Sequence, residues 1–382
     1  MNRILVVLIF FLPFFSAASE PDTWTARWIM HPGVDSQSHA VILFRKSINL
    51  AEKPGSFIIH VSADNHYRLF VNGKYILRGP ARGDLEHWFY ETVDIAEHLM
   101  PGENILAAEV INWGPKRAFS IKSQMTSFIL QGASQKEAMV NTREGRWKCL
   151  HNKANYPKIV DWMNDRGTID FGLYAGNPTD SIRGDQYPWG WETPAYIDSS
   201  WLPASDAGKA GGRNTQYAGG LLYPGGKLLV ARQVPLLKET AMPFTKIRST
   251  IGLAEGKSYI DSMGSLVVPP HEYVIILIDQ THITMGYPEL KVSGGKDAIV
   301  QAMYAENLIA DSRSPKGNRN EIDGKYTVGI KDVFIPDGGK DRIFRPASIR
   351  SFRYIQVDIE TFDEPLIIEN YYHVECRAHL RS

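Results

Sequence analysis

A predicted β-hairpin at residues 62–80, SADNHYRLFVNGKYILRGP, constrains the fold more than any other stretch of the sequence. Asn72 and Gly73 lie between two runs of mostly apolar residues, and an Asn-Gly pair readily adopts the positive φ angles of a two-residue type I′ turn. Alternation along the strands places one set of side chains on the core face, namely Tyr67, Leu69, Val71 and Ile76. The turn also sets the register and predicts the cross-strand pairs Leu69–Ile76, Phe70–Tyr75 and Val71–Lys74.

The opposite face of the hairpin has a mixed character. His66, Arg68, Phe70 and Tyr75 combine aromatic rings with hydrogen-bonding groups. Such a face suits either a sheet covered by loops or a surface that contacts a polar ligand. A half-buried structural hairpin is the simpler interpretation, and the pattern alone leaves both open.

The length and charge of the chain narrow the classes of partner. At 382 residues the chain exceeds the size at which single hydrophobic cores stop growing, so we expect at least two cores. Lys plus Arg and Asp plus Glu both total 42, and this balance argues against a nucleic-acid or anionic-membrane partner. A neutral polymer or small neutral ligand fits better. The 9 Trp and 17 Tyr are common in carbohydrate-handling proteins, although large β-proteins also use aromatic residues as core.

The first 19 residues have the features of a secretory signal peptide. Arg3 precedes an apolar run, and small residues follow at positions 16–19. No later segment approaches the roughly 18 uncharged apolar residues of a membrane span, so we expect an exported protein, periplasmic or extracellular, without membrane insertion. The only two cysteines, Cys149 and Cys376, lie far apart and do not form a disulfide framework.

Short apolar runs broken by Gly and Pro continue through the mature chain and predict an all-β fold. Residues 20–240 are predicted to form an antiparallel β-sandwich of jelly-roll type with a long loop-rich insertion. Residues 241–372 are predicted to form a second sandwich in tandem, and residues 373–382 a basic tail.

Two runs in the second region carry most of the strand signal. Residues 273–279, YVIILID, form a nearly continuous apolar run that predicts a central strand covered on both faces. Residues 354–360, YIQVDIE, alternate cleanly, which predicts Ile355, Val357 and Ile359 in the core.

Three tryptophans cluster in the loop-rich insertion, at Trp189, Trp191 and Trp201. They could wall a ligand groove or plug a sandwich whose loops fold back over it. Tryptophan is usually largely buried, which favours the plug.

No sequence motif supports metal, nucleotide or acyl-transfer chemistry. HExxH, paired CxxC and EF-hand patterns are missing, as are GxSxG, the P-loop and GxGxxG, so no cofactor or metal is predicted. Asp358 and Glu360 share a strand face and could form a glycosidase pair, but a solvated face is the favoured interpretation. Glu321, beside Arg319 and Asn320, could hold sugar hydroxyls through charge-assisted hydrogen bonds, or the loop could be a solvated connection.

Several strings resemble the N-terminal β-sandwich regions of secreted bacterial α-L-rhamnosidases. They cover almost all of the mature chain: the hairpin with the following ARGDLEHWFYETVDIAEHL, NILAAEVINWG, YPWGWE, GYPELKVSGGKDAIVQAMYAENL, NRNEIDGKYTVGIKDVFIPDGGKDRIFRP and RSFRYIQVDIET. The resemblance implies removal of terminal L-rhamnose by an inverting mechanism, with the catalytic carboxylates on an (α/α)6 barrel. That barrel is expected after residue 370, where HVECRAHLRS does not continue the family pattern.

The resemblance therefore predicts a truncated or frame-disrupted rhamnosidase-like protein that is inactive alone, without catalytic residues of its own. The alternatives are a stand-alone exported carbohydrate-binding protein and a glycosidase that uses Asp358, Glu360 or Glu321. A rhamnose-containing oligosaccharide or polysaccharide is the expected partner, and an exposed apolar patch is expected on the second sandwich. The candidate sugar-contacting residues are His66, Arg68, Tyr75, Trp189, Trp191, Arg319, Asn320 and Glu321.

Overall fold

The computed structural model describes residues 23–158, 177–212, 227–244, 246–253, 265–310 and 317–378. The predicted signal peptide and part of the loop-rich insertion lie outside these residues. Within the described part the regular structure is β, with only short 3₁₀ turns at Ala96–His98, Gly114–Lys116, Ala138–Val140 and Gly184–Gln186. The all-β prediction is confirmed. No helix in the described ranges is long and apolar enough to cross a membrane.

The strands are numbered in chain order. The first fifteen are β1 (Arg27–Met30), β2 (His39–Leu50), β3 (Ile58–Asp64), β4 (His66–Val71), β5 (Lys74–Gly79), β6 (Trp88–Asp94), β7 (Gly102–Trp113), β8 (Ser127–Gly132), β9 (Lys148–His151), β10 (Asn155–Lys158), β11 (Thr179–Arg183), β12 (Leu202–Pro203), β13 (Ser205–Lys209), β14 (Gly211–Gly212) and β15 (Leu228–Ala231). The remaining nine are β16 (Lys238–Pro243), β17 (Lys246–Ile251), β18 (Leu266–Val268), β19 (Tyr273–Gly294), β20 (Ile299–Ala305), β21 (Ile330–Ile335), β22 (Arg342–Phe344), β23 (Arg350–Glu360) and β24 (Leu366–Arg377).

The first unit is a sandwich of two sheets. One sheet has the order β13-β1-β8-β3-β6-β15-β14 and the other the order β12-β9-β2-β7-β4-β5. Neighbouring strands are antiparallel except for β14–β15 and β15–β6. Inward side chains of both sheets, such as Ile42, Phe44, Phe128 and Leu130, form one core, and full burial of a side chain of this size contributes about 1.5–3 kcal/mol.

The hairpin forms as β4 and β5, with one change of register. Asn72 has φ 51° and Gly73 φ 82°, as the predicted turn requires. The pairs Phe70–Tyr75 and Val71–Lys74 are confirmed, but a bulge places Leu69 opposite Leu77, so the predicted pairing with Ile76 is wrong. The extra residue brings Leu77 into the core at 6% exposure and leaves Ile76 partly buried.

The second unit is built around the 22-residue strand β19. Its first half pairs with β17 and β23, and its second half pairs with β22 and β24. Val274 and Ile276 from the first half share one core with Leu290 and Val292 from the second, so the eleven-stranded sheet folds over itself into two layers. The predicted central position is confirmed, but the strand is not fully covered on both faces, because Ile275 and Leu277 are only partly buried and Tyr273 is 53% exposed.

Strand β23 lies beside β19 and has the predicted alternation. Ile355, Val357 and Ile359 are buried, as expected.

The two units are interleaved in sequence. Strands β10 and β11 precede position 240 but belong to the sheet of the second unit, where β11 runs parallel to β21. Strand β24 continues to Arg377 and pairs with β16 and β19, with His373 and Cys376 buried. The segment predicted as a tail, 373–382, therefore begins inside a strand. The prediction missed this strand because its sequence is hydrophilic, although its backbone is paired on both sides.

The tryptophan-rich loop covers the outer face of the six-stranded sheet. Trp191 is 1% exposed and Trp201 5%, and Trp191 packs against both Phe70 and Trp201. Arg45 holds the loop by donating to the carbonyl of Thr193 at 3.0 Å and to the Asp198 carboxylate at 3.0 Å. For these two tryptophans the structure agrees with the plug interpretation.

Candidate functional site

A cleft of about 980 Å³ lies between the two units. The first unit contributes the outer face of the β4–β5 hairpin, the segments 79–83 and 120–122, and Trp113 at the end of β7. The second unit contributes β16, the middle of β19, the segment 345–350 and part of β24. Ligand sites often have this size and lie between units.

Arg78 on β5 joins the two units at the cleft. Its guanidinium donates to Glu239 on β16 at 2.9 and 3.2 Å and lies 3.5 Å from the centre of the Tyr287 ring on β19. Its Nε also donates to the Tyr75 hydroxyl at 2.9 Å. Burial raises the pKa of Tyr75, so its hydroxyl stays protonated and donates to Glu239 at 3.0 Å.

Most of the positive charge in the cleft lining is neutralised. Five arginines are paired with carboxylates: Arg68 with Glu109 at 2.9 Å, Arg78 with Glu239 at 2.9 Å, Arg232 with Glu91 at 3.2 Å, Arg345 with Glu289 at 3.1 Å, and Arg350 with Asp332 at 3.0 Å. Arg82 and Lys122 also line the cleft, and neither has an ion-pair partner in the part of the chain that the structure describes.

Three buried polar atoms of the lining have no hydrogen-bond partner among the described residues. They are Nε2 of His66, Nε1 of Trp113 and Oγ of Ser348. Buried polar groups in proteins are nearly always paired, so an unpaired group in a cleft indicates a place for a ligand or water. Burial and the nearby Arg78, Arg68 and Arg82 lower the pKa of His66 to about 3, so the ring is neutral at physiological pH.

The carboxylates of the lining are engaged in structural contacts. Glu239 is held by Arg78, and Glu289 accepts from Arg345 at 3.1 Å and from the Tyr372 hydroxyl at 2.6 Å. Beneath the lining, burial raises the pKa of Glu91, which accepts from the backbone N–H of Ala81 at 2.9 Å and fixes the segment 79–83. Because these carboxylates are held by arginines, a tyrosine and a backbone N–H, they suit a rigid binding cleft better than acid–base chemistry.

The structure brings three of the predicted sugar-contacting residues together. His66, Arg68 and Tyr75 all line the cleft. Arg68 is 8% exposed and committed to Glu109, whereas Tyr75 is 36% exposed.

Trp189 and Trp191 lie elsewhere and border a separate cavity of about 20 Å³, which has room for a water molecule but not for a sugar. Trp191 is 1% exposed and offers no open ring face. Trp189 is half-buried, with its centroid 4.5 Å from that of Tyr187 and its Nε1 donating to the carbonyl of Gly184 at 2.8 Å. Trp189 and Trp191, two of the candidate sugar-contacting residues, are thus part of the packing.

The loop that carries Arg319, Asn320 and Glu321 is exposed and outside the cleft lining. The Arg319 carbonyl accepts from the hydroxyl of Tyr354, and Asn320 Oδ1 accepts from Arg353 at 2.7 Å. Glu321 accepts from the Asn318 amide at 3.1 Å. These contacts anchor the loop on β23 and describe a structural connection.

Asp358 and Glu360 also lie outside the cleft lining. Asp358 accepts from the Gln356 amide at 2.8 Å, and Glu360 is exposed at the end of β23. Among the described residues, no group of three or more His, Cys, Asp or Glu side chains has the geometry of a metal site.

Sequence reasoning missed Trp113, Arg82, Lys122 and Ser348 as cleft residues. Trp113 ends β7 two residues beyond Ile111, which pairs with His66 across the sheet, so only the strand pairing brings the two rings together. No local signal in the sequence marks the other three.

Comparison with known proteins identifies the fold of this chain through solved structures. No family model matches the sequence, and no curated protein matches it. Solved structures do match. The GH78 family rhamnosidase of Bacillus sp. GL1 superposes with a TM-score of 0.72 at 14% identity, over 94% of this chain and 56% of that chain. The α-L-rhamnosidases of Aspergillus terreus and Dictyoglumus thermophilum superpose with TM-scores of 0.60 and 0.58 at 16% and 17% identity, each over 94% of this chain and 36% of the other.

The fold is that of part of an α-L-rhamnosidase. The chain spans about half the length of the Bacillus protein and about a third of the other two. The resemblance drawn from the sequence strings is therefore confirmed for the fold, across nearly the whole chain and across both sandwich units.

Proposed function

We propose that this chain recognises carbohydrate and that the cleft between its two units is the binding site. One observation carries the proposal: aromatic rings and hydrogen-bonding groups from both units line one cleft, and three polar atoms in it have no partner among the described residues. Sugars offer apolar ring faces that pack on aromatic side chains and hydroxyls that pair with polar groups.

The rhamnosidase-like fold supports L-rhamnose as a component of the glycan. The proposal includes export, since the first 19 residues have the features of a signal peptide. An exported protein of this kind would meet glycans outside the cytoplasm.

Calorimetric titration with rhamnose-containing oligosaccharides tests the proposal. We expect saturable binding and a rise in melting temperature, because a ligand that binds only the folded state stabilises it by about 2.7 kcal/mol at a concentration of 100 Kd. Ala241→Trp should weaken binding, since Ala241 is an exposed strand residue of the cleft lining and the indole would obstruct that part of the cleft.

Thr240→Trp is the matched control. Thr240 is the neighbouring exposed residue of β16 and is outside the cleft lining, because successive side chains of a strand point to opposite faces. Equal loss of binding in both variants, or no binding by the unmodified chain, would contradict the proposal.

Hydrolysis is the competing function, and an assay for turnover of an aryl α-L-rhamnoside distinguishes it from binding alone. We expect no turnover, because Glu239 and Glu289 are committed to arginines. Turnover that disappears in Glu289→Gln would contradict the proposal of binding alone and support an enzymatic function.

A further inference from the structure

Two ring nitrogens lie at one end of the cleft without partners among the described residues. Trp113 is 5% exposed, and its Nε1–H has no acceptor there. Nε2 of His66 is likewise without a partner, and the two rings lie 6.0 Å apart with 30° between their planes. With its proton on Nε2, the neutral His66 ring offers a second N–H donor beside that of Trp113.

Asn65 brings a cationic segment to the same place. Its Oδ1 accepts from the backbone N–H of Trp113 at 3.1 Å, and its Nδ2 donates to the carbonyl of Lys122 at 3.4 Å. Asn65 directly precedes His66 in the chain. These contacts hold the backbone of Lys122 and of Trp113 against the side chain of Asn65, next to His66.

Arg82 completes this end of the cleft. Its Nη1 donates to Ser120 Oγ at 2.9 Å, two residues before Lys122, and its charge is close enough to His66 to lower the pKa of that ring. Neither Arg82 nor Lys122 has a carboxylate partner in the described ranges, in contrast to the five paired arginines of the lining. The unneutralised charge of Arg82 therefore lies near the two ring donors, and Lys122 follows Ser120, the residue that Arg82 contacts.

Resting on the carbohydrate-binding function proposed above, we infer that the end of the cleft formed by His66, Trp113, Arg82 and Lys122 binds the carboxylate of an acidic sugar. A carboxylate accepts several hydrogen bonds and prefers charged donors. A sugar hydroxyl would satisfy the ring nitrogens but would form no ion pair with either cation. The net charge of the whole chain predicted a neutral ligand, whereas the charges at this end of the cleft favour a uronic acid residue in the glycan.

A matched ligand pair tests the inference: a rhamnosyl–uronate disaccharide and the same disaccharide with its carboxyl group reduced to the alcohol. We expect the acidic form to bind about fivefold more tightly, because a contact with an exposed cation contributes at most about 1 kcal/mol. The preference should shrink with added salt, because Arg82 and Lys122 are exposed to solvent.

Variants separate the charge from the fold. The double variant Arg82→Gln, Lys122→Gln should lose the preference for the acidic form and keep its affinity for the reduced form. Trp113→Phe, which retains a ring but lacks the N–H donor, should also lower the affinity for the acidic form. Lys136→Gln, which removes an exposed charge outside the cleft lining, should leave both affinities unchanged.

The outcomes are distinct. Equal affinity for the two disaccharides would overturn the acidic-sugar site and leave carbohydrate binding intact. Absence of binding by both would overturn the proposed function itself. Tighter binding of a sulfated disaccharide than of the uronate would overturn the assignment to a carboxylate.

Discussion

A titratable side chain that is buried without a hydrogen-bond partner makes the folded state sensitive to pH, and His373 is such a residue. It is fully buried, and neither ring nitrogen has a partner among the described residues. The ring centroid lies 5.3 Å from that of Phe244 and 5.5 Å from that of Phe352. Burial lowers the pKa of His373 to about 4, well below the value of about 6.5 expected in the unfolded chain.

We predict that His373→Phe reduces the loss of stability in acid. Between about pH 6.5 and 4 the unfolded chain binds a proton at His373 and the folded chain does not. The free energy of unfolding therefore falls by up to about 1.4 kcal/mol for each unit by which the pH is lowered. Phenylalanine has a similar shape and no proton to bind. Urea unfolding at about pH 7, 5.5 and 4.5 should show the variant gaining on the parent as the pH falls.

The control for this prediction is Phe128→Leu. Phe128 is fully buried in the core of the first unit, and neither phenylalanine nor leucine binds a proton. The difference between this variant and the parent should stay constant with pH. A constant difference for His373→Phe as well would show that the buried ring does not titrate with folding.

At the scale of elements, the β4–β5 turn depends on backbone geometry that few residues adopt. Gly73 has φ 82°, and a Cβ added there would lie 3.0 Å from Cγ2 of Thr193 in the loop that covers the sheet. Gly73→Ala should therefore lower the free energy of unfolding by about 1–2 kcal/mol. Urea denaturation of the purified variant measures this loss.

Two further glycines separate the contribution of the positive φ from that of the contact with Thr193. Gly145 has φ 67° and open space where a Cβ would lie, whereas Gly55 has open space and no positive φ. Gly145→Ala should show the backbone strain alone, and Gly55→Ala should be neutral or slightly stabilising. A Gly73→Ala variant as stable as Gly55→Ala would contradict the assigned turn.

The turn could be predicted from neighbouring residues alone, whereas other features of the strands depend on residues distant in sequence. The bulge opposite Leu69 and the membership of His373 in β24 were missed, because each depends on a partner strand distant in sequence. The exposed apolar patch expected on the second sandwich stays a prediction. Ile251, Tyr273 and Phe362 are individually exposed.

At the scale of the whole molecule, Arg78 couples the two units. Its side chain is 10% exposed and that of Glu239 21%, so removing the arginine leaves a largely buried carboxylate unpaired and removes the stack on Tyr287. We predict that Arg78→Met lowers stability by about 2–3 kcal/mol and splits the thermal unfolding of the two units into separate transitions. Differential scanning calorimetry measures both effects.

Arg183→Met is the matched control, because Arg183 and its partner Asp185 are 38% and 47% exposed. An exposed pair of this kind contributes at most about 1 kcal/mol, so the calorimetric profile should keep its shape. A single unshifted transition in Arg78→Met would mean that other contacts hold the units together.

The sequence by itself determined the all-β class, the Asn72–Gly73 turn, the central strand and the alternation of β23. These features follow from φ preferences and a two-residue period, which act between neighbours in the chain. It also indicated His66 and Tyr75 as residues on a polar face. The rhamnosidase-like fold followed from strings of residues longer than any single element.

Only the tertiary structure decided where the cleft lies and what charge it carries. The chain has no net charge, yet within the described ranges Arg82 and Lys122 stand without carboxylate partners at one end of the cleft, while the other arginines of the lining meet carboxylates on other strands. Trp191 and Trp113 both became part of one buried cluster for the same reason, and Trp113 also borders the cleft. Ion pairing and burial are set by residues that the fold brings together from distant positions, and no local pattern encodes those distances.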